Sequence, residues 1–483
     1  MAMRSIAVGV IAVGLWAGLA VAAPAPYVWD LPDWVPEPVV PTDNPMTAAK
    51  VDLGRYLFYD RRLSVNQAMS CASCHQQARG FTDGKARSPG ANGELGVRSA
   101  MALANVAYLP VLTWANPAQR RLETQLLIPL FGDNPIELGM MGQEQTLFQR
   151  LGADPLYRRL FHKAFPAKQG RIDLGTVSKA IACFERTLLS FNSPYDRYKH
   201  GGEEGAVSDS AKRGEDLFYG ERLECSHCHG GFNFTDNVQH SKMKFPEVAF
   251  HNTGLYNTDG KGAYPSDNAG IRAVTADPDD EGKFRAPSLR NIAVTAPYMH
   301  DGSIATLEDV IRHHYALKGL AVFNGAQPSP LRDQFIEGFD ISDAEVADLV
   351  AFLTSLTDEL FLKDPRFADP WSLNLSSQTL KEYSHASIYT SHPGHRPFLE
   401  RREHRAHSPR SIAAGRSRRT RDGAQGSRLD VRGGGRADRR QARVHRWHED
   451  RLKAPAGRKR EGGAYSAADV GRRPLPPAME SYR

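Results

Sequence analysis

The chain has 483 residues, enough for two domains with sizeable cores, and a formal net charge of +6. That basic balance is misleading, because residues 401–483 hold 23 Lys and Arg against 9 Asp and Glu, which leaves the first 400 residues acidic. A charge surplus confined to one end excludes reading the body of the protein as a nucleic-acid binder.

Residues 1–22 read as a secretory signal peptide: Arg4 opens it, Ile6 to Val21 form an apolar run, and Ala20-Val21-Ala22 is a cleavage site of the A-x-A kind. Gly9, Gly14 and Gly18 interrupt the run, which is short for a bilayer span, so a periplasmic protein without an integral span after cleavage is expected. Residues 23–45 are a Pro-rich, extended lead-in (Pro32, Pro36, Pro38, Pro41, Pro45). Met46 to Tyr59 has helical spacing, and a mainly α domain is expected over 46–200. Asp173 is placed to cap a long helix ending near Phe191, where Asn192-Ser193-Pro194 stops it. Cys183 lies on that helix's apolar stripe with Val177, Ile181, Phe184 and Leu188, as a buried, inert thiol.

Gly201, Gly202 and Gly205 form a linker to a second mainly α domain over 206–371. Thr306-x-x-Asp309 and Ser342-x-x-Glu345 each start a helix there in the manner of a capping box. After about Tyr383 the composition changes abruptly. Residues 384–483 are rich in Arg, Gly and His and poor in aliphatic periodicity, as a disordered or non-native tail would be.

One unit occurs twice. Gly54 to Asp60, Cys71-Ala-Ser-Cys74-His75 and Phe81-Thr-Asp83 return as Gly214 to Gly220, Cys225-Ser-His-Cys228-His229 and Phe234-Thr-Asp236. C-x-x-C-H is the signature of covalent c-type haem attachment, in which two thiols form thioethers and the next imidazole ligates iron. Pooling the four cysteines in one zinc site leaves the His after each pair without a reason. The repeat of flanking residues implies two domains with one haem each, and such attachment fits an extracytoplasmic compartment.

Second-haem ligation leaves two candidates. Leu307, Val310, Ile311 and His314 share one face of a regular helix, with Tyr315 turned away by about 100°. His314 is therefore the expected distal ligand and Tyr315 the alternative that a one-residue insertion restores.

These motifs, in this order over about residues 45–370, resemble the bacterial di-haem cytochrome c peroxidase and MauG superfamily, most closely its methanobactin-associated MbnH-like branch. The resemblance implies two cytochrome c-like α domains with their haems facing the domain interface, the first peroxidatic and open, the second six-coordinate. It implies His75 and His229 as proximal ligands, Trp114 between the haems, and Gln125, Pro129 and Glu137 in the distal pocket of the first. It further implies interdomain calcium held by the carbonyls of Thr295 and Pro297, although Ser99 stands where the family has Asn. Classical members carry a mobile distal His soon after the first motif, whereas this chain has no His between His75 and His162, so the first haem is expected to be open without prior reduction.

The implied activity is oxidation by hydrogen peroxide through a high-valent, bis-ferryl-like state that modifies a periplasmic partner protein at tryptophan. A conventional peroxidase fed by small c-type cytochromes or cupredoxins, and a non-catalytic di-haem electron carrier, are the two other readings. No nucleic-acid partner is expected.

Overall fold

A computed structural model of the chain describes residues 27–320 and 327–372. The signal peptide assigned to 1–22 and the basic tail assigned to 384–483 lie outside these residues. Seven helices of eight or more residues are described: α1 (Ala48–Tyr59), α2 (Glu144–Ala153), α3 (Pro155–Ala164), α4 (Leu174–Glu185), α5 (Pro194–Gly201), α6 (Asp209–Tyr219) and α7 (Asp343–Ser355). Pairing between extended segments is limited to isolated bridges, so the described residues form no sheet. None of the described helices is long and apolar enough to cross a membrane.

The helix starts follow the sequence. Thr47 caps α1 by accepting from the Lys50 amide at 3.2 Å. Asp173 caps α4 by accepting from the Thr176 amide at 2.8 Å, while the Thr176 hydroxyl accepts from the Asp173 amide at 3.0 Å. Ser342 and Glu345 form the reciprocal box that opens α7. The end of α4 differs from expectation, since it stops at Glu185 rather than near Phe191. Beyond Glu185 the chain tightens into i→i+3 bonds, Thr187 to Phe184 and Leu188 to Glu185, and Asn105 then draws it away: its amide donates to the Leu188 carbonyl at 2.8 Å and its side chain accepts from the Ser190 amide at 2.7 Å.

Each half is built on one crossed helix pair, α1 with α4 and α6 with α7. A Cβ added at Gly54 would lie 2.0 Å from the Ala180 carbonyl oxygen, and one at Gly214 would lie 2.0 Å from that of Asp348. Only hydrogen fits at either crossing, so both helix pairs approach backbone to backbone. The first core gathers Leu53, Leu57, Phe58, Phe161 and Phe184, and the second Phe218, Phe234, Val346, Leu349 and Phe352.

The halves are interlocked at their seam. Arg290 is buried and makes bonds of 2.9–3.1 Å to both carboxylate oxygens of Asp196, with its guanidinium over Phe191 and Phe234. The lead-in, which contains no helix or strand among its described residues 27–45, straps this region: Trp34 stacks on His200 at 3.9 Å, and the Pro36 carbonyl accepts from the Tyr108 hydroxyl at 2.8 Å. The last described segment, assigned from sequence to the C-terminal domain, returns to the first half. Phe361, Leu362 and Phe367 join the first core, Gln77 donates to the Phe361 and Asp364 carbonyls at 3.0 and 2.9 Å, and the Trp371 indole donates to the Tyr56 carbonyl at 3.1 Å.

Candidate haem sites and the wall between them

The two C-x-x-C-H motifs are held alike. Ser70 and Ser73 form a reciprocal cap around the turn Cys71–Ser73, and Cys225–His229 is a short helical turn. All four motif cysteines are free thiols. In each copy the imidazole Nδ1 faces the carbonyl of a phenylalanine a few residues on, His75 with Phe81 at 2.8 Å and His229 with Phe234 at 3.3 Å. With Nδ1–H donating there, Nε2 is the lone-pair nitrogen available to a metal. Burial pulls both imidazoles below their usual pKa, which favours the neutral form that ligation needs. Both phenylalanines have positive φ, 64° at Phe81 and 50° at Phe234, an uncommon conformation for an aromatic residue and repeated at equivalent places.

The second motif opens on a cavity of about 200 Å³ lined by Cys225, Cys228 and His229 and walled by Leu289, Ile311 and Leu353. Free thiols, an oriented imidazole and apolar walls fit a flat macrocycle attached through its edge. Across this cavity the two candidate ligands part company. Leu307, Val310, Ile311 and Tyr315 line it, while His314 is fully buried outside it, with Nδ1 facing the Leu320 carbonyl at 3.4 Å and Nε2 without a hydrogen-bond partner. His314 does occupy a buried position, as helical phase requires. The displacement comes from Val310–Tyr315 being a π-helical segment. Its wider turn advances each residue by a smaller angle than an α-turn does, so residue 315 falls back onto the stripe of Leu307 and Ile311.

On the first side, the turn after helix Leu127–Phe131 presents Glu137. The Pro129 carbonyl accepts from the Leu138 amide at 2.9 Å, the Glu137 carbonyl from the Ala91 amide at 2.7 Å, and the Leu138 carbonyl from the Val65 amide at 2.9 Å. A Cβ at Gly90 would sit 1.8 Å from the Ile136 carbonyl oxygen, so this approach depends on glycine. Glu137 is accessible yet closely surrounded by protein, as on the wall of a recess, and desolvation raises its carboxyl above the usual range. Burial is the main cause that raises the Cys71 and Cys74 thiols, and the Glu137 charge adds to it, so this carboxyl lies within electrostatic reach of the first motif. Gln125 is half-buried at the end of helix Leu122–Gln125, one turn before Pro129.

Trp114 lines both the second-motif cavity and a smaller one of about 80 Å³ between the halves, and its indole N–H donates to the Ser99 carbonyl at 2.9 Å. The smaller cavity also brings together Ser99, Thr295 and Pro297, with Asp83 as a carboxylate and Arg285 and Arg290 as cations. The Ser99 hydroxyl donates to the Met299 carbonyl at 3.2 Å.

Two buried groups near these sites had no sequence signal. Glu185 is 6% exposed, has one carboxylate oxygen without a partner, and is pushed up to about 8 by burial; its charge also raises Cys71. Phe184 and Phe352 occupy matching positions against Gly54 and Gly214, so Glu185 stands where the second half has Leu353, a wall of the second cavity. Arg285, 2% exposed, walls both cavities. Cys183 is fully buried with its thiol pushed up to about 11, an inert group.

The family model for di-haem cytochrome c peroxidase matches residues 48–204. Methylamine utilization protein MauG of Methylophilus methylotrophus is 33% identical over 327 residues, which cover 67% of this chain and 86% of that protein. Cytochrome-c peroxidase IdrP1 of Denitromonas iodatirespirans is 34% identical over 350 residues, covering 69% and 88%. Among solved structures, a MauG-like protein associated with microbial copper homeostasis matches with 49% identity and a TM-score of 0.69, covering 71% of this chain and 99% of that one.

Proposed function

The chain belongs to the di-haem cytochrome c peroxidase and MauG family and is a di-haem oxidoreductase of that type, and from this premise we propose that it works in the periplasm, using hydrogen peroxide to oxidise a partner protein at tryptophan. The observation that carries this reading is the asymmetry of the two sites: Tyr315 lines the second cavity, whereas the first motif has the carboxyl of Glu137 within electrostatic reach.

Cys71, Cys74 and His75 would hold one haem and Cys225, Cys228 and His229 the other, through thioethers and an imidazole ligand, and the haems would supply the redox chemistry that activates peroxide. Glu137 is the base. It accepts the proton from the inner peroxide oxygen and returns it to the outer one, so that water leaves. Its raised pKa brings its proton affinity closer to that of the groups it exchanges with. Pro129 and the Gly90 contact hold the turn that aims it, and Gln125 borders the same pocket. Trp114 takes the role of conductor between the sites in this reading; it walls the second cavity and the smaller one between the halves. Tyr315 replaces His314 as the second site's distal ligand in this reading, because it is the one of the pair that reaches the cavity. The two electrons that complete reduction of peroxide to water come from the partner's indole, which need not enter the first pocket. A calcium ion is a further part of the proposal, held in the smaller cavity by the Thr295 and Pro297 carbonyls with Asp83 and Ser99 beside them.

The test is electron paramagnetic resonance on the oxidised holoprotein before and after stoichiometric peroxide. One high-spin and one low-spin ferric signal, both lost with peroxide and slowly restored, is the expected result. Two low-spin signals indifferent to peroxide overturn it. Turnover only after prior reduction by a small cytochrome or cupredoxin would instead identify a conventional peroxidase.

A further inference from the structure

Arg285 is a buried cation without a counter-ion. Its guanidinium reaches only neutral acceptors: the Thr113 carbonyl at 3.3 Å, the Ala286 carbonyl at 3.3 Å and the Met101 sulfur at 3.6 Å. Among the described residues no carboxylate pairs with it. The acidic group whose charge acts on it, Asp236, is already committed to His251 at 2.5 Å, and the other nitrogen of that imidazole is held by Asp333 at 2.8 Å. The contrast with Arg290, five residues on, is direct, since that buried guanidinium is fully paired by Asp196. Burial pulls Arg285 down to about 10, which still leaves it charged at neutral pH. An unpaired ion in such a place is costly, and an anion that completes the pair removes that cost.

The place is specific. Arg285 walls both cavities, and its backbone amide donates to the Trp114 carbonyl at 2.9 Å. The group that fits the second cavity carries, besides its two thioether arms, two propionate carboxylates. We propose that Arg285 is the anchor for a propionate of the second haem, and that the pair fixes the edge of that haem against the backbone of Trp114. A planar guanidinium offers a carboxylate two parallel N–H donors, which a carbonyl cage cannot use fully. Arg285 is thus a positioning residue that neutralises a negative charge beside the second iron. The inference rests on the di-haem reading and adds to it which side chain sets the charge of the second site.

The test compares Arg285→Gln and Arg285→Lys holoproteins by potentiometric titration of both haems and by redox-difference infrared spectroscopy. Losing the cation leaves the propionate charge uncompensated, so Arg285→Gln lowers the second haem's midpoint potential. The expected shift is roughly a tenfold change in its reduced-to-oxidised ratio at fixed ambient potential, about 59 mV for a one-electron couple, with a smaller shift at the first haem. Arg285→Lys keeps the potential near the parent's but moves the propionate carboxylate band, because a point charge replaces a two-pronged contact. If Arg285→Gln fails to take up haem, the band shift in Arg285→Lys still decides the matter. Unchanged potential and band in these variants, or equal shifts at both haems, overturn the proposal. A single haem in the parent protein overturns the di-haem reading instead.

Discussion

The two halves share a skeleton and differ in what that skeleton faces. Gly54 and Gly214 admit the same backbone contact, Phe81 and Phe234 take the same left-handed conformation behind the motif His, and Asn105 and Asn291 both adopt positive φ. The asparagines tie equivalent strands of chain: the Asn105 amide reaches the Leu188 carbonyl at 2.8 Å and the Asn291 amide that of Leu356 at 3.0 Å. What differs is the lining. Where the second half has Leu353 the first has Glu185, and where the second half brings Tyr315 to its cavity the first has Glu137 within electrostatic reach of its motif. Holding a haem and deciding what the haem does are separable tasks here, the first assigned to backbone geometry and the second to a few side chains on the facing walls.

The separation is most exposed to attack at Glu137. Glu137→Gln should slow the reaction with peroxide by roughly 10²–10⁴-fold, the usual worth of a positioned acid–base group, with both haem spectra retained; stopped-flow mixing measures it, and an unchanged rate would leave the two sides functionally alike. The skeleton is tested by Gly54→Ala and Gly214→Ala. Each puts a methyl against a helix carbonyl and should cost about 3 kcal/mol in denaturant unfolding of the holoprotein. If one substitution is tolerated and the other is not, the helix crossings are not equivalent.

Glu185 sharpens the comparison through pH. Its folded pKa of about 8 lies above the ordinary 4.5, so the folded state binds the proton more tightly than the unfolded one. Stability is therefore lost as pH rises from the ordinary value through about 8, and levels off above. Glu185→Gln should flatten that decline, because the amide has no proton to lose over this range. Equilibrium unfolding at pH 5 and pH 8 measures it, and parallel curves for parent and variant would remove the carboxyl from the account. Smallest in free energy, within about 1 kcal/mol, is Tyr315→Phe, which should nonetheless convert the second haem's low-spin spectrum to high-spin, while His314→Ala leaves its ligands in place. A spectrum altered only by the His314 change would restore the regular helical phase.

Much of the skeleton could be read from the residues alone, because the signals are local and redundant. C-x-x-C-H occurs twice with matched flanks, and Thr306, Ser342 and Asp173 announce their helices through side chains that cap the next turn. Periodicity puts His314 ahead of Tyr315 because it assumes 3.6 residues per turn, and nothing in Val310 to Tyr315 advertises the wider π-turn that brings Tyr315 to the cavity. The early end of α4 was hidden for a related reason. Leu188 continues the apolar stripe, but Asn105, more than eighty residues earlier, takes its carbonyl. Glu185 and Arg285 were invisible because their meaning is an absence of partners, and a partner's absence is a property of the assembled fold.

The return of the C-terminal segment to the first half bears on the order in which the protein is made. Phe361, Leu362 and Phe367 belong to the core built around Leu53, Phe58 and Phe81, so the half that emerges first during synthesis is the last to be finished. Until residues beyond 360 arrive, the core of the N-terminal helices has an open flank. Residues 361–367 thus act as a checkpoint on the start of the fold: a copy truncated before them would carry both C-x-x-C-H motifs yet lack the closing piece of the first core.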